Sequence, residues 1–471
     1  MRNWDVVIGL EIHVELSTAS KIFCGCSTAF GGEPNTQCCP VCIGMPGTLP
    51  VLNEKVLEYA AMAGIALNCE ITRYNKFDRK NYFYPDLPKA YQNSQLYLPF
   101  GRNGYIEIEL PSEKPKKIRI HEIHMEEDAG KLIHGKGKTY LDYNRCGVPL
   151  IEIVTKPDMT SAAEVIACLT SVKSILEYLE VSDCQMQEGS LRADVNLSVK
   201  PQGSTEYGIR TEMKNINSFK AIERAIEYEA SRQIELLTDG DTVLQETRRW
   251  DDNAGQSYAM RSKENAPDYR YFPDPDILPV SFDEEFIDRL KKSLPEFAKE
   301  KAARFVSEYG VAPKDAALIA ADKKIAALYE DTAKLASPKE TASWMLGEMM
   351  YLISTTSTEP KIVSRAFADF IDAITSGKVN RTAGKQVFEY VFGGGEDIEG
   401  FIKQHGLAQI NDDASITAIV DKVLTANDNA VTEYKNGKEK AFGFLVGQTM
   451  KELKGKGNPA LINSILKERL K

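Results

Sequence analysis

The sequence predicts an α+β chain: an antiparallel β-rich cradle domain over residues 1–293, an all-helical domain over 294–404 and a small helical tail domain over 405–471. Three observations carry that expectation. Leu191, Ala193, Val195, Leu197 and Val199 alternate with Arg192, Asp194, Asn196 and Ser198, the period of two that sends successive side chains to opposite faces of a strand. Near Leu294-Pro295 the composition turns to Ala-rich segments with helical spacing. Five of the nine cysteines fall between Cys24 and Cys42 among Pro and Gly, where a metal-pinned loop is expected.

A chain of 471 residues exceeds one hydrophobic core and implies several domains. Its net charge of -10 and pI of about 5.3 give no global sign of a nucleic-acid binder. Charge is nevertheless uneven, with nine Lys or Arg against four Glu between Val431 and Lys471. No apolar run approaches a membrane span, and Met-Arg-Asn-Trp-Asp at the start lacks a signal-peptide core, so no membrane partner and a cytoplasmic location are expected. In that setting clustered cysteines turn toward metal rather than disulfides.

Taken in order, the first element is a strand from Asp5 to Leu16, with Leu10, Ile12 and Val14 on one face and Glu11, His13 and Glu15 on the other. Glu11 and His13 are either a satisfied surface pair or ligands for a hard cation, the latter only where other carboxylates converge on them. Cys24-Gly-Cys26 and Cys39-Pro-Val-Cys42 then have the spacing of a tetrahedral thiolate site. Structural zinc is the functional reading, with Cys38 an alternative to Cys39 and free thiols the plain alternative. Four thiolates would leave no open position for zinc catalysis.

A helix over 53–67 leads into an aromatic and basic segment, Phe77 to Gln95, which two prolines exclude from regular helix and central strand. Arg79, Lys80 and Lys89 there suit phosphate contacts, and the tyrosines suit stacking on a nucleotide or RNA end; a packed aromatic loop is the alternative. His121 to Lys131 is a further polar constellation with three consecutive acids, followed by an exposed hairpin tip near His134. Asp142, Asn144, Arg145 and Glu152 interrupt an otherwise apolar strand ending at Thr155, and a carboxylate there is costly unless paired or metal-bound.

Ser161 to Leu179 has helical spacing and a capping box in Ser161 and Glu164. The alternating stretch after Glu188 follows, with Pro201-Gln-Gly-Ser204 as its turn and Arg210, Glu212 and Lys214 on the way back, an antiparallel hairpin with one face of mixed charge. An ordinary exposed sheet face is the alternative. A long helix over 219–237 and a loop-rich, Arg- and Tyr-rich stretch through Glu246-Thr-Arg-Arg-Trp-Asp-Asp252, Met260-Arg-Ser-Lys-Glu and Asp268 to Asp276 complete the β-rich part. Helices are then expected at 297–309, 313–329, 337–355 and 362–376, with a break at Gly393-Gly-Gly395 and a basic helical end.

The motifs Val-Ile-Gly-Leu-Glu-Ile-His-Val-Glu-Leu, Cys-Pro-Val-Cys-Ile-Gly-Met-Pro-Gly, Phe77-Asp-Arg-Lys-Asn-Tyr-Phe-Tyr-Pro-Asp-Leu-Pro-Lys, Glu126-Glu-Asp-Ala-Gly-Lys131, Glu188-Gly-Ser190 and Glu212-Met-Lys-Asn215 resemble the B subunit of bacterial aspartyl/glutamyl-tRNA amidotransferases. The resemblance spans the chain. It implies that the side-chain carboxylate of Glu-tRNA(Gln) or Asp-tRNA(Asn) is phosphorylated by ATP and amidated by ammonia. It implies partners too: an amidase-type A subunit that releases ammonia from glutamine, a small C subunit, and the misacylated tRNA docked on the tail.

That chemistry brings anions together, so divalent metal and cations are needed. Glu11, His13, Glu126, Glu152 and Asp194 become candidate ligands for Mg²⁺, joined by Glu212. Glu212, Lys214, Arg192 and Ser190 form the expected catalytic group, and Arg79, Lys80, Lys89 and Asn215 the expected ATP and phosphate contacts. Cys24, Cys26, Cys39 and Cys42 match the family's zinc knuckle, which some relatives lack. No Walker A loop is present, and no nucleophile with its base for releasing ammonia from glutamine is evident. A non-catalytic zinc-containing tRNA-binding module and a ligase acting on a small metabolite are the competing readings. Acids on three separate strands argue against the first, and the basic tail against the second.

Overall fold

The computed structural model describes residues 3–111, 113–262 and 269–471 and divides into two compact units, Met1–Phe297 and Ala298–Lys471. Lys263, Glu264 and Asp268, which the sequence places in the loop-rich finish of the β-rich part, lie outside the described residues.

A 10-stranded sheet organises the first unit. Its central strands are β1 (Trp4–Glu15), β2 (Lys116–Glu127), β3 (Pro149–Thr155), β4 (Leu191–Pro201), β5 (Thr211–Lys214), β6 (Glu246–Asp251) and β7 (Gln256–Ser262), in the spatial order β7-β6-β5-β4-β1-β3-β2. Short strands at Gly101–Arg102 and Glu70–Ile71 extend the β2 edge, and Tyr105–Ile108 also pairs with β2. The alternation read from the sequence holds in β1 and β4. Ile8, Leu10, Ile12, Val14 and Leu191, Ala193, Val195, Leu197 are buried in one core with helices α1 (Glu54–Ala66), α2 (Ala162–Tyr178) and α3 (Phe219–Thr238). Ser161 caps α2 by accepting from the Glu164 amide, as the capping box requires.

The expected hairpin is narrower than its pattern. β4 pairs with β1 along its whole length, but with β5 only through Val195–Met213, Asn196–Glu212 and Leu197–Thr211, and Arg210 is exposed outside the strand. Glu246–Asp251 and the residues Met260 to Ser262, expected in a loop-rich finish, instead belong to β6 and β7, because Arg248 is satisfied across that pair by the Ser257 hydroxyl and carbonyl at 2.8 Å. The sheet is also not wholly antiparallel. β5 and β6 run parallel because α3 forms the crossover between them, the connection that parallel neighbours need. Asp142 ends the hairpin strand Lys138–Asp142, and Asn144 and Arg145 lie in the turn before β3, so of the four polar residues only Glu152 interrupts that strand. The aromatic segment forms a small sheet of Asp78–Asn81, Tyr91–Ser94 and Phe272–Pro273.

The second unit is helical and holds two apolar cores, one from Phe305 to Leu407 and one from Ile416 to Leu470. The segment expected as one helix over 313–329 is two, Pro313–Ala320 and Lys323–Ala333, because the Asp322 side chain accepts from the Ile325 amide and starts the second. Helix Arg381–Phe392 stops at the Gly393 break. Among the described residues no helix is long and apolar enough to cross a membrane.

Behind the polar face of the sheet, Glu229 of α3 is completely buried. It accepts from Thr211 at 2.9 Å, Arg232 Nε at 2.9 Å, Gln233 at 3.0 Å and Ser257 at 3.2 Å, and so ties α3 to β5 and β7. Arg248 of β6 lies 3.4 Å away. Removing one member of a buried charged network strands the others. Glu229→Ala is expected to cost about 3 kcal/mol of unfolding free energy, read from denaturant curves of the two proteins; a loss below about 1 kcal/mol would mean that water replaces the carboxylate.

Candidate active site

Register gathers charge on the open face of the sheet. His13 lies opposite Arg192 on β4 and Glu152 on β3, Glu152 lies opposite His124 on β2, and Glu11 lies opposite Asp194. Directly opposed residues on antiparallel strands share a face. His13 Nε2 therefore stands 3.6 Å from Glu126, 3.6 Å from Glu152 and 3.9 Å from Glu11. Two ligand groups result, Glu11–His13–Asp194 and His13–Glu126–Glu152, each with its donor atoms within 4.8 Å of one another. They share His13. On β5, Lys214 pairs with Asp194 and lies 3.5 Å from Glu212, whose other oxygen accepts from Thr247 of β6 at 2.9 Å.

Burial and crowding decide the charge states. Burial, then the charge of Glu152, pushes Glu11 up to about 7 and raises Glu126 as well. Burial would also raise Glu152, but the His124 ring at 2.7 Å holds it well below the usual carboxylate range. His124 answers in kind: burial disfavours its charge, yet Glu152 carries it up to about 9. Lys80 is desolvated too, and Glu126, Tyr271 and Glu152 nevertheless raise it. Lys214 is raised by Asp194, Glu212 and Glu11 against the same burial penalty. Carboxylates that resist ionising beside their neighbours are the setting a hard divalent cation relieves, and a set of oxygens with one imidazole fits such an ion.

A second donor set is chemically different. The sulfurs of Cys24, Cys26, Cys39 and Cys42 lie within 4.8 Å of one another, and the Cys39 amide donates to Cys42 Sγ at 3.1 Å. Cys38 is outside this set and turns its thiol to the Asn35 carbonyl at 3.3 Å. Four thiolates from a CxC and a CxxC suit a tetrahedral zinc ion.

A family model described as the GatB/GatE catalytic domain matches residues 6–288, and one described as the GatB domain matches residues 327–470. The chain belongs to the GatB/GatE family. It is similar over its length to proteins named as the B subunit of an aspartyl/glutamyl-tRNA(Asn/Gln) amidotransferase. That of Lachnoclostridium phytofermentans is 58% identical over 476 residues, covering 100% of this chain and 99% of its own. The Lachnospira eligens protein is 53% identical over 483 residues, with 100% of both chains covered. The Caldicellulosiruptor bescii protein is 54% identical over 476 residues, with 99% of each covered.

In this GatB/GatE chain the remaining residues singled out from the sequence each have partners of their own. Arg79 is held by Asp274 at 2.8 Å and Asp276 at 2.7 Å, with its guanidinium 4.2 Å from the centre of the Tyr91 ring. Lys89 pairs with Glu127 and lines a cavity of about 120 Å³ whose other walls include Phe23, Cys24 and Cys42. Arg192 reaches Asp128 at 2.5 Å. Ser190 donates to Asp183 and accepts from the Gln185 amide at 2.8 Å. Asn215 takes the left-handed conformation, at a φ of 64°, that Asn tolerates better than most residues, and donates to the Trp250 carbonyl at 3.3 Å. Sequence reasoning gave no role to His124, Asp128 or Glu15, although each sits in a marked polar stretch, nor to Thr247, which lies in a stretch expected as loop.

Glu15, at the end of β1, carries a readable pH signature. Burial first, then the Asp128 carboxylate, pushes it up to about 8 from 4.5, against the pull of Arg192 and Arg145. Its neutral form thus contributes stability that is complete below pH 4.5 and is lost as pH rises through about 8. Glu15→Gln keeps the neutral form at every pH. Its thermal midpoint should therefore gain on wild type between pH 4.5 and 8 and hold that gain above; a constant difference across the range would show that Glu15 ionises normally.

Proposed function

We propose that this chain is the kinase and transamidase subunit of a glutamine-dependent tRNA amidotransferase, acting on the amino acid of misacylated Glu-tRNA(Gln) or Asp-tRNA(Asn). The observation that carries the reading is the pair of ligand groups sharing His13, with Lys80, Lys214 and Arg192 around them. Unmetallated acids repel phosphate, so such a face is poor for binding RNA alone and suited to handling a nucleotide with its cation.

An oxygen of the substrate's side-chain carboxylate attacks the γ-phosphorus of ATP, the bond to ADP breaks, and an acyl phosphate forms. The nitrogen of ammonia then attacks the acyl carbon, the bond to phosphate breaks, and the added nitrogen loses a proton to leave the amide. Magnesium held by Glu11, His13, Glu126, Glu152 and Asp194 would offset the phosphate charge. The ammonium groups of Lys80 and Lys214 add fixed positive charge beside the phosphates. Glu212 is oriented by Thr247, and the ionised state of Glu152 is maintained by His124. Arg192 and Ser190 position the substrate end, with Asn215 at the turn after β5; Arg79 and Lys89 are further phosphate contacts once released from Asp274 and Glu127. Ammonia comes from an amidase-type A subunit, held to this chain by a small C subunit. Zinc on the four cysteines is structural, and the block from residue 405 docks tRNA.

In the reconstituted complex, Glu152→Gln should lower ATP turnover that depends on misacylated tRNA and magnesium by about a hundredfold or more. Glu212→Ala with full transamidation would remove Glu212 from the site. Binding of tRNA with no ATP turnover by the intact complex would instead favour the non-catalytic module.

Truncation before residue 405 should raise the KM for tRNA more than tenfold while leaving less of an effect on kcat, as loss of a docking arm does. Unchanged kinetics would place tRNA recognition elsewhere.

A further inference from the structure

Lys21 is completely buried, a rare state for a lysine unless an anion accompanies it. Among the described residues no carboxylate lies within ion-pair distance of its ammonium. Its partners are the Gln37 carbonyl at 2.8 Å, the Tyr143 carbonyl at 3.5 Å and Cys42 Sγ at 3.7 Å. Two neutral carbonyls do not offset a desolvated cation. The remaining neighbour is the sulfur of a candidate metal ligand.

The backbone of the same residue reaches the other ligand arm, since the Lys21 amide donates to the Cys26 carbonyl at 3.0 Å. Lys21 therefore spans the knuckle. Its main chain holds the CxC arm, and its side chain holds the CxxC arm through Gln37 and Cys42. Four thiolates around one divalent ion leave a double negative charge, and a buried N–H donor at a ligand sulfur reduces that charge where solvent is excluded.

We propose that Lys21 is the built-in counter-ion of the thiolate centre, a positioning residue that acts at the buried Cys42 and lets the four cysteines keep their metal. The inference rests on the zinc reading of Cys24, Cys26, Cys39 and Cys42. It assigns Lys21 no contact with substrate. Charge is the essential property: arginine should serve in its place, and a neutral side chain of similar length should not.

The full chain is purified as wild type, Lys21→Met and Lys21→Arg, its zinc content is measured by atomic emission, and zinc release to a chromogenic chelator is followed in time. Wild type should carry one zinc per chain, Lys21→Met should release it at least tenfold faster, and Lys21→Arg should stay within about threefold of wild type. Cobalt(II) in the site should show a shifted sulfur-to-metal charge-transfer band in Lys21→Met and tetrahedral spectra in all three. Equal release from wild type and Lys21→Met overturns the inference and leaves the zinc reading standing. Wild type without stoichiometric metal overturns both. Should Lys21→Met fail to fold, Lys21→Arg decides: release near the wild-type rate supports the counter-ion, and release more than tenfold faster overturns it.

Discussion

Glu11, Glu126 and Glu152 converge on one imidazole nitrogen of His13 at 3.6–3.9 Å, and their mutual repulsion is the constraint that the surrounding structure answers. Each fixed cation nearby has a definite place in that answer. His124 is spent on Glu152, Lys214 on Asp194 and Glu212, and Lys80 stands where Glu126 and Glu152 both act on it. The result is a division of labour among similar groups. Glu152 stays ionised, while Glu11 and Glu126 hold protons more readily than free carboxylates do. A cation bound at this face would compete with protons as well as with water, which would tie its affinity to pH.

That convergence depends on one extra residue in β2. Opposite β3, Ile120 pairs with Thr155 and Glu122 with Val154, so His121 is unmatched and the strand bulges. Before the bulge, Ile118 and Ile120 face the core; after it, Ile123 and Met125 do. The phase shift is what turns His124 and Glu126 to the open face beside Glu152 and His13. Without it, an uninterrupted period of two would send both into the apolar layer under α2. A bulge here re-aims side chains at a site rather than merely ending a pairing.

The poles of this arrangement are legible in the sequence, and their partners are not. Strict alternation in β1 and β4 exposes which residues of each strand share a face, so Glu11 groups with His13 and Arg192 with Asp194; that the two strands are neighbours is added by their register. The Ile120-to-Ile123 spacing contains the bulge, but a gap of three between apolar residues also suits a helix, and local pattern cannot choose. Long-range ion pairs are less visible still. Nothing local to Phe77–Gln95 shows that Arg79 meets Asp274 and Asp276, nearly two hundred residues away, and its basic character alone suggested phosphate. Parallel pairing of β5 with β6 was hidden for a related reason: it depends on where α3 returns the chain, which periodicity does not encode.

The thiolate knuckle and the polar face are joined by the segment from Asp142 to Val148. Asn35 and Gln37 donate their amides to the side chains of Asp142 and Asn144, and Ile22 donates to the Gly147 carbonyl. On the other side of the same segment, Gly147 and Asp128 exchange backbone bonds with their neighbours, and Arg145 donates to the carbonyls of Ala129 and Gly130. Asp128 in turn holds Arg192. None of these links passes through sulfur. The knuckle is therefore fastened to the sheet by hydrogen bonds that use none of the four thiols, and a metal on those thiols would order only the loop between its own ligands. The path from that loop to Asp128 and Arg192 runs through backbone groups and the side chains of Asp142, Asn144 and Arg145, so it does not depend on the four cysteines.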